Sequence, residues 1–295
     1  MASEGKGASE EKMERAIVEV CVRARTAARA LGPRERAVKD RALHELARGL
    51  VDGRGRILAE NAKDLEDARA RGTSGAMLDR LALDEARLRA MARAAEEIAE
   101  LHDPVGDVIA ETRRPNGLRV RRVRVPIGVI AMIYEARPNV TSDAAALCLK
   151  AGNAVVLRGG SEAARSNAAV AAVVSDALAT AGLPRDAAQV VPFTDRDAIR
   201  VLVRQTETVD LAIPRGGEAL IRFVTEHARV PVVQHYKGVC HLFVDAGRKS
   251  LSKPQRLENE RLDTIIGVGT KSRLACQALI GQEDVIVEIL DFASG

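Results

Sequence analysis

The sequence predicts an α/β protein built on a doubly wound parallel sheet, preceded by N-terminal helices and a β-hairpin arm. Three observations predict this class. The first third of the chain carries a helical apolar period, two short β-type runs follow around an Asn-Gly turn, and from Ile127 apolar runs alternate with helical stretches. Continuous apolar strands that alternate with helices need crossover connections, so their sheet is parallel and covered on both faces.

Residues up to about Ala8 are small and polar and are expected to be disordered. Ser9 then caps a helix whose first turn carries Glu10 and Glu11 at the positive end of the helix dipole. Met13, Ile17, Val20, Cys21 and Ala24 share one face of it. A second helix starts near Pro33, turns Ala37, Leu43, Leu46 and Leu50 inward and stops at Gly53. A third buries Ile57, Leu58, Asn61 and Leu65, and a fourth, capped by Asp84, buries Leu88, Met91, Ala95 and Ile98.

Val108 to Thr112 and Leu118 to Val125 then read as a hairpin with its turn at Asn116-Gly117. Val120, Arg122 and Arg124 lie on one side of the second run, Arg121, Val123 and Val125 on the other. Basic residues on both faces suit an exposed arm or an oligomer contact better than a central strand. Strands of the sheet are expected at Ile127 to Tyr134, Ala154 to Arg158, Gln189 to Pro192, Val209 to Pro214 and Cys240 to Asp245. Helices are expected at Asp143 to Lys150 and Glu162 to Ala181. The organisation that follows is a helical part at 1–107, the arm at 108–126, an α/β core at 127–247 and an atypical tail at 248–295.

Composition narrows the function. The 45 basic and 41 acidic side chains are interspersed and leave a net charge of +4, without the concentrated basic face that phosphate backbones require. Aromatic residues are 2% of the chain and Trp is absent, so base-stacking platforms lack material and no nucleic-acid partner is expected. No apolar run approaches the roughly 20 residues that span a bilayer, and Met1 to Lys12 lacks a signal-peptide core, so the expected location is cytoplasmic and away from membranes. Cys21, Cys148, Cys240 and Cys276 have no metal-ligand spacing and would be free thiols in a reducing compartment. Each is either a small buried hydrophobe or a nucleophile.

Doubly wound sheets bind ligands at the carboxyl ends of their strands. Three such ends are unusual here: Tyr134-Glu135-Ala136-Arg137-Pro138-Asn139, Arg158-Gly159-Gly160-Ser161 and Pro214-Arg215-Gly216-Gly217. Each offers a cation, and two offer paired glycines that let a backbone approach a phosphate, with a helix starting at Gly217 aiming its N–H groups outward. The same glycines also serve simple tight turns. The dinucleotide fingerprint G-x-G-x-x-G does not occur, so an ordinary Rossmann site is not expected.

The run from Val125-Pro126-Ile127-Gly128 through Tyr134-Glu135-Ala136-Arg137-Pro138-Asn139 to Thr141 closely resembles the signature of the glutamate-5-semialdehyde dehydrogenases (gamma-glutamyl phosphate reductases), within the aldehyde dehydrogenase superfamily. The likeness continues through Cys148-Leu149-Lys150-Ala151-Gly152-Asn153, Arg158 to Ala163, Pro214 to Gly217 and Gly238-Val239-Cys240-His241, to about Gly247. The resemblance implies an aldehyde-dehydrogenase-like cofactor domain and the NADPH-dependent reduction of L-glutamyl 5-phosphate to the semialdehyde, a step of proline biosynthesis. It also implies a homo-oligomer and a mechanism in which a thiolate attacks the acyl phosphate before hydride transfer.

By that resemblance Asn139 is the oxyanion donor, although an Asn there also caps a helix. Arg158, Gly159, Gly160 and Ser161 hold the NADPH or NADP cofactor, Ser161 leaving room for the 2′-phosphate and Arg158 answering its charge. Gly216 and Gly217 face the pyrophosphate beside Arg215. Glu135 and Arg137 bind charged groups of the substrate or pair with each other to brace the loop.

The family's acidic segment and Gln-Arg-Pro-Gly-x-Cys-Asn loop are not recognisable after Asp245, so the catalytic domain reads as truncated and the nucleophile as unknown. Cys276 has a faint similarity to that loop without its Pro-Gly turn, and Cys240 reads as strand core. Asp284 to Leu290 is a candidate substitute strand, and Gly247 to Gly295 is expected to pack poorly and leave the cofactor groove partly open. The competing reading is a catalytically inactive remnant that binds the cofactor or a partner such as glutamate kinase.

Overall fold

The computed structural model describes residues 2–234 and three short strands at 241–244, 272–274 and 287–288. The chain divides into two units, Met1–Tyr236 and Lys237–Gly295.

The first unit opens with α1 (Ala2–Leu31), α2 (Arg36–Asp52), α3 (Arg54–Ala70), α4 (Gly75–Leu81) and α5 (Glu85–Glu100). Helix α1 begins seven residues ahead of the expected Ser9 cap and includes the segment expected to be disordered. Its inward face is the expected one, with Met13, Ile17, Val20, Cys21 and Ala24 all buried. Helix α4 was not foreseen, because its seven residues are too short to show a period. Asp84 caps α5 as its sequence indicates, accepting from the Arg87 backbone N–H at 2.7 Å.

In α2 the expected inward Ala37 is exposed while Lys39 is wholly buried. The Lys39 ammonium is matched by the Asp103 carboxylate at 2.5 Å, which lets a charge occupy a position the apolar pattern could not assign. Lys150 makes a similar inward contact, to Asp40 and to the Ala99 carbonyl.

The hairpin joins β1 (Val108–Arg113) to β2 (Arg119–Val123), with Thr112 opposite Val120. Both strands are exposed on both faces, and Glu111 pairs with Arg119 and Arg121, each at 2.6 Å. The Gly117 N–H donates to the Arg114 carbonyl and only Gly117 has positive φ, at 86°. The loop is therefore Pro115-Asn116-Gly117 with a glycine bulge, one residue longer than the two-residue turn expected.

The main sheet contains β3 (Val129–Tyr134), β4 (Ala154–Arg158), β5 (Ala188–Val190) and β6 (Leu211–Arg215), in the order β5-β4-β3-β6 and parallel throughout. Helices α6 (Asn139–Lys150), α7 (Ala164–Thr180), α8 (Arg196–Leu202) and α9 (Glu218–His227) form the crossovers and flanks. Alternate strand residues serve opposite layers. Ile130, Tyr134, Val155 and Leu157 pack with α2, α5, α6 and α7, while Val129, Ala131, Ile133 and Val156 pack with α1, α8 and α9. The sheet is thus buried on both faces, the arrangement its continuous apolar strands require.

Beyond this unit β7 (His241–Val244) pairs antiparallel with β8 (Ser272–Leu274) and β9 (Val287–Glu288). The Cys240 to Asp245 run was expected as a further parallel strand, and this is a correction. A short apolar run states that a strand forms but carries no information on its partner's direction. Strand β9 falls inside the Asp284 to Leu290 run. The packing expected of Gly247 to Gly295, and the Cys240 and Cys276 readings, lie outside the described residues. No helix among the described residues is long and apolar enough to cross a membrane.

Two interactions make measurable predictions. Asn61, 1% exposed, donates to the Leu81 carbonyl at 2.9 Å and Ser166 Oγ at 3.0 Å, and accepts from the Leu83 N–H at 2.8 Å. Asn61→Ala strands those partners and is expected to lower stability by about 2–3 kcal/mol in urea unfolding. A change within experimental error would deny Asn61 this role.

Burial alone would raise the Asp103 carboxyl, but the Lys39 hydrogen bond, the Val105 N–H and the Lys39 and Lys150 charges hold it below its ordinary value. A depressed carboxyl contributes stability above its unfolded pKa and loses it as pH falls through the folded one. Asp103→Asn should therefore flatten the loss of melting temperature below about pH 4. An unchanged acid limb would remove Asp103 from that account.

Candidate functional site

The order β5-β4-β3-β6 reverses beside β3, so the loops after β3 and β6 diverge and leave a crevice at the carboxyl edge. All three unusual loops meet there. The loop after β3 holds Ala136 at φ 47°, a left-handed conformation that costs an alanine energy unless its surroundings fix it. Glu162, from beyond β4, supplies that fixation by accepting the Ala136 N–H at 2.5 Å. Glu135 reaches across the crevice and accepts the Gly217 N–H at 3.1 Å.

A Cβ at Gly216 would stand 2.5 Å from Glu135 Oε2 and 2.7 Å from Leu220 Cδ2, so a larger residue there would push the Glu135 carboxylate from its place. The N–H of Gly217, expected to face a phosphate, is thus held by an internal carboxylate. A ligand phosphate reaching it would displace Glu135. No ion pair joins Glu135 to Arg137 among the described residues, so the expected mutual bracing pair does not form there, and Glu135 is bound to the Gly217 backbone instead. Arg137 is exposed.

Three cavities open onto these loops. One, of about 380 Å3, is lined by Arg158, Gly160, Ser161, Glu162, Thr194 and Arg196 among others. A second, of about 440 Å3, takes in Glu135, Arg137, Arg215, Gly216 and Gly217. A third, of about 430 Å3, lies against α4, α5 and α6 and is lined by Arg80, Arg137, Asn139 and Asp143 with Leu83 and Met91.

Arg158 is 5% exposed and its Nη2 donates to the carbonyls of Thr194 and Asp195. Its Nε is buried without a partner. Burial pulls its pKa down, against the pull of the neighbouring Glu162, Glu135 and Asp195 carboxylates. Ser161 is exposed at the start of a short 3-10 turn, whereas Gly159 is buried away from the cavities, where a Cβ would collide with Asn167. Arg215 is exposed and has no ion pair among the described residues.

Asn139 opens α6 as its first helical residue, not as its cap, which is Pro138. Its amide donates to Asp143 Oδ2 at 2.9 Å, which fixes the amide's orientation and leaves its second N–H for another acceptor. Burial pushes the Asp143 carboxyl up, against the hydrogen bonds from Asn139 and Ser142. Asp143 and Glu162 were given no role from sequence. The Asn-x-x-x-Asp spacing on α6 was the available signal, because residues four apart meet on a helix.

The two cysteines in the described residues offer no nucleophile. Cys21 and Cys148 are buried, and burial pushes both thiols to about 12. They behave as the buried hydrophobes of the first alternative.

Comparison with known proteins agrees with this architecture. The model of the "Aldehyde dehydrogenase family" matches residues 8–239, and the chain belongs to that family. Within it, the chain is 57% identical over 283 residues to the gamma-glutamyl phosphate reductase of Sorangium cellulosum (strain So ce56), covering 94% of this chain and 65% of that protein. That match takes in part of the segment after Gly247. The chain is 53% identical over 227 residues to the gamma-glutamyl phosphate reductase of Geobacter sp. (strain M21), covering 77% of this chain and 54% of that one.

The crystal structure of gamma-glutamyl phosphate reductase from Thermotoga maritima superposes with a TM-score of 0.73 at 41% identity, over 74% of this chain and 53% of that one. The chain therefore spans between about half and two thirds of the length of these relatives.

Native protein treated with a thiol reagent should leave Cys21 and Cys148 unmodified until denaturant is added. Mapping the label by peptide mass would reveal the opposite outcome, rapid labelling at either position.

Proposed function

We propose that the protein reduces L-glutamyl 5-phosphate to L-glutamate 5-semialdehyde with NADPH, as a cytoplasmic enzyme of proline biosynthesis. The observation that carries this reading is 57% identity over 94% of the chain to a protein named for that reduction.

The cofactor fits the residues present. A buried guanidinium N–H without a partner costs about 1–3 kcal/mol, and a phosphate oxygen in the adjoining cavity would satisfy it. Arg158, Gly160 and Ser161 would hold the adenosine end of NADPH, and Arg215, Gly216 and Gly217 its pyrophosphate. Gly159 supports this cradle by its packing against Asn167. When bound, the cofactor supplies the hydride.

The chain's own residues orient the substrate. Arg137 meets an anionic group, and Asn139 presents its remaining amide N–H to the oxygen on which charge develops. Glu162 holds the loop that carries both. Glu135 keeps the Gly217 N–H paired until a phosphate takes its place.

The second reading, a cofactor- or partner-binding protein without turnover, is favoured by the unreactive setting of Cys21 and Cys148. Contacts with glutamate kinase and assembly into a homo-oligomer belong to these proposals.

Calorimetric titration with NADPH decides the cofactor role. The expected result is measurable binding that Arg215→Ala weakens by on the order of tenfold, the scale of one charge-assisted contact. No heat of association, or an unaffected Arg215→Ala variant, would sink it. NADPH oxidation in the presence of the acyl phosphate then separates the two readings, because binding without oxidation leaves only the second.

A further inference from the structure

The cavity against α4, α5 and α6 is lined by charges of both signs, and several of them have no ion-pair partner among the described residues. Of its cations, Arg87 is committed, its guanidinium bonded to Asp79 at 2.6 Å and to the Ala82 carbonyl at 2.6 Å. Arg80 and Arg137 are exposed and form no ion pair among the described residues. Asp143 is half-buried, and among the described residues it is met only by neutral donors, the Asn139 amide at 2.9 Å and Ser142 Oγ at 3.4 Å.

Arg137 and Asp143 line the same space without pairing. A half-buried carboxylate without a cation is costly, and burial accordingly pushes its carboxyl up. Relief comes from a ligand that brings a cation to Asp143 and an anion to the guanidinium groups at once. The same cavity also presents Leu83 and Met91, apolar surface that suits a short methylene chain running on from those two charges.

We infer that this cavity is the subsite for an α-amino-acid head group, with Asp143 receiving the ammonium and Arg137 the carboxylate. The inference deepens the proposed function and rests on its reading of the substrate as an amino-acid acyl phosphate. Asp143 becomes the residue that distinguishes an amino acid from the corresponding plain dicarboxylic acid, because only the former carries the cation. The pairing is a charge-assisted hydrogen bond in a partly desolvated place, where such bonds are strongest.

The test uses the full chain and two probes, L-glutamate and glutarate, which differ only in the α-ammonium group. Titration by calorimetry or ligand-observed NMR should find L-glutamate preferred by on the order of tenfold. Asp143→Asn should erase that preference by weakening L-glutamate alone, whereas Arg137→Ala should weaken both probes alike. Equal affinities in the unaltered protein, binding of neither probe at millimolar concentration, or a preference that survives Asp143→Asn would each overturn the assignment. The comparison in the unaltered protein needs no variant to fold. NADPH titrated in parallel keeps the readings apart, since its failure to bind would refute the cofactor role while the ratio of the two probes still decides the subsite.

Discussion

The parallel pairing of β3 with β4 on one side and β6 on the other is the constraint from which the remaining architecture follows. Parallel neighbours must be joined by crossovers, so helices cover both faces and the alternating side chains of β3 enter two separate cores. Chain order then carries β4 and β5 to one side and β6 to the other, and the divergence opens a crevice at one edge of β3. Every residue assigned a role in the proposed function sits on that edge or on the first turn of the helix leaving it.

The edge is electrostatically mixed. Guanidinium groups at Arg137, Arg158, Arg196 and Arg215 face it, but so do the carboxylates of Glu135 and Glu162, both bound to backbone N–H groups. These carboxylates hold the loops in place, including the left-handed Ala136, before any ligand arrives. A phosphate entering the crevice therefore meets a preshaped site in which internal anions already satisfy part of the donor set. Preshaping lowers the ordering cost of binding, and displacing an internal anion raises it again.

Much of this was legible from sequence. The strands β3 and β4, the Asp84 cap and the inward face of α1 follow from apolar spacing and from local hydrogen-bond chemistry, which act over a few residues. The Asn139 to Asp143 contact was also within reach, as a helix brings residues four apart together. Other features were not. Lys39 is buried because Asp103, 64 positions away, neutralises it, and no local pattern encodes that pairing. The direction of β7 depends on partners at β8 and β9, and the Gly217 N–H is paired only because β6 lies beside β3.

The class of fold, the gathering of unusual loops at the carboxyl edge, and the family, through the residues around Tyr134 to Asn139, are all carried by the amino-acid order. These depend on periodicity and on local chain geometry, which any short stretch carries within itself. The tertiary structure alone decided which charges meet: Glu135 with Gly217, Glu162 with Ala136, Arg158 with the Thr194 and Asp195 carbonyls, and Asp143 with no cation among the described residues. Pairing and burial of charge depend on distances between segments far apart in the chain, and those distances exist only once the sheet has closed.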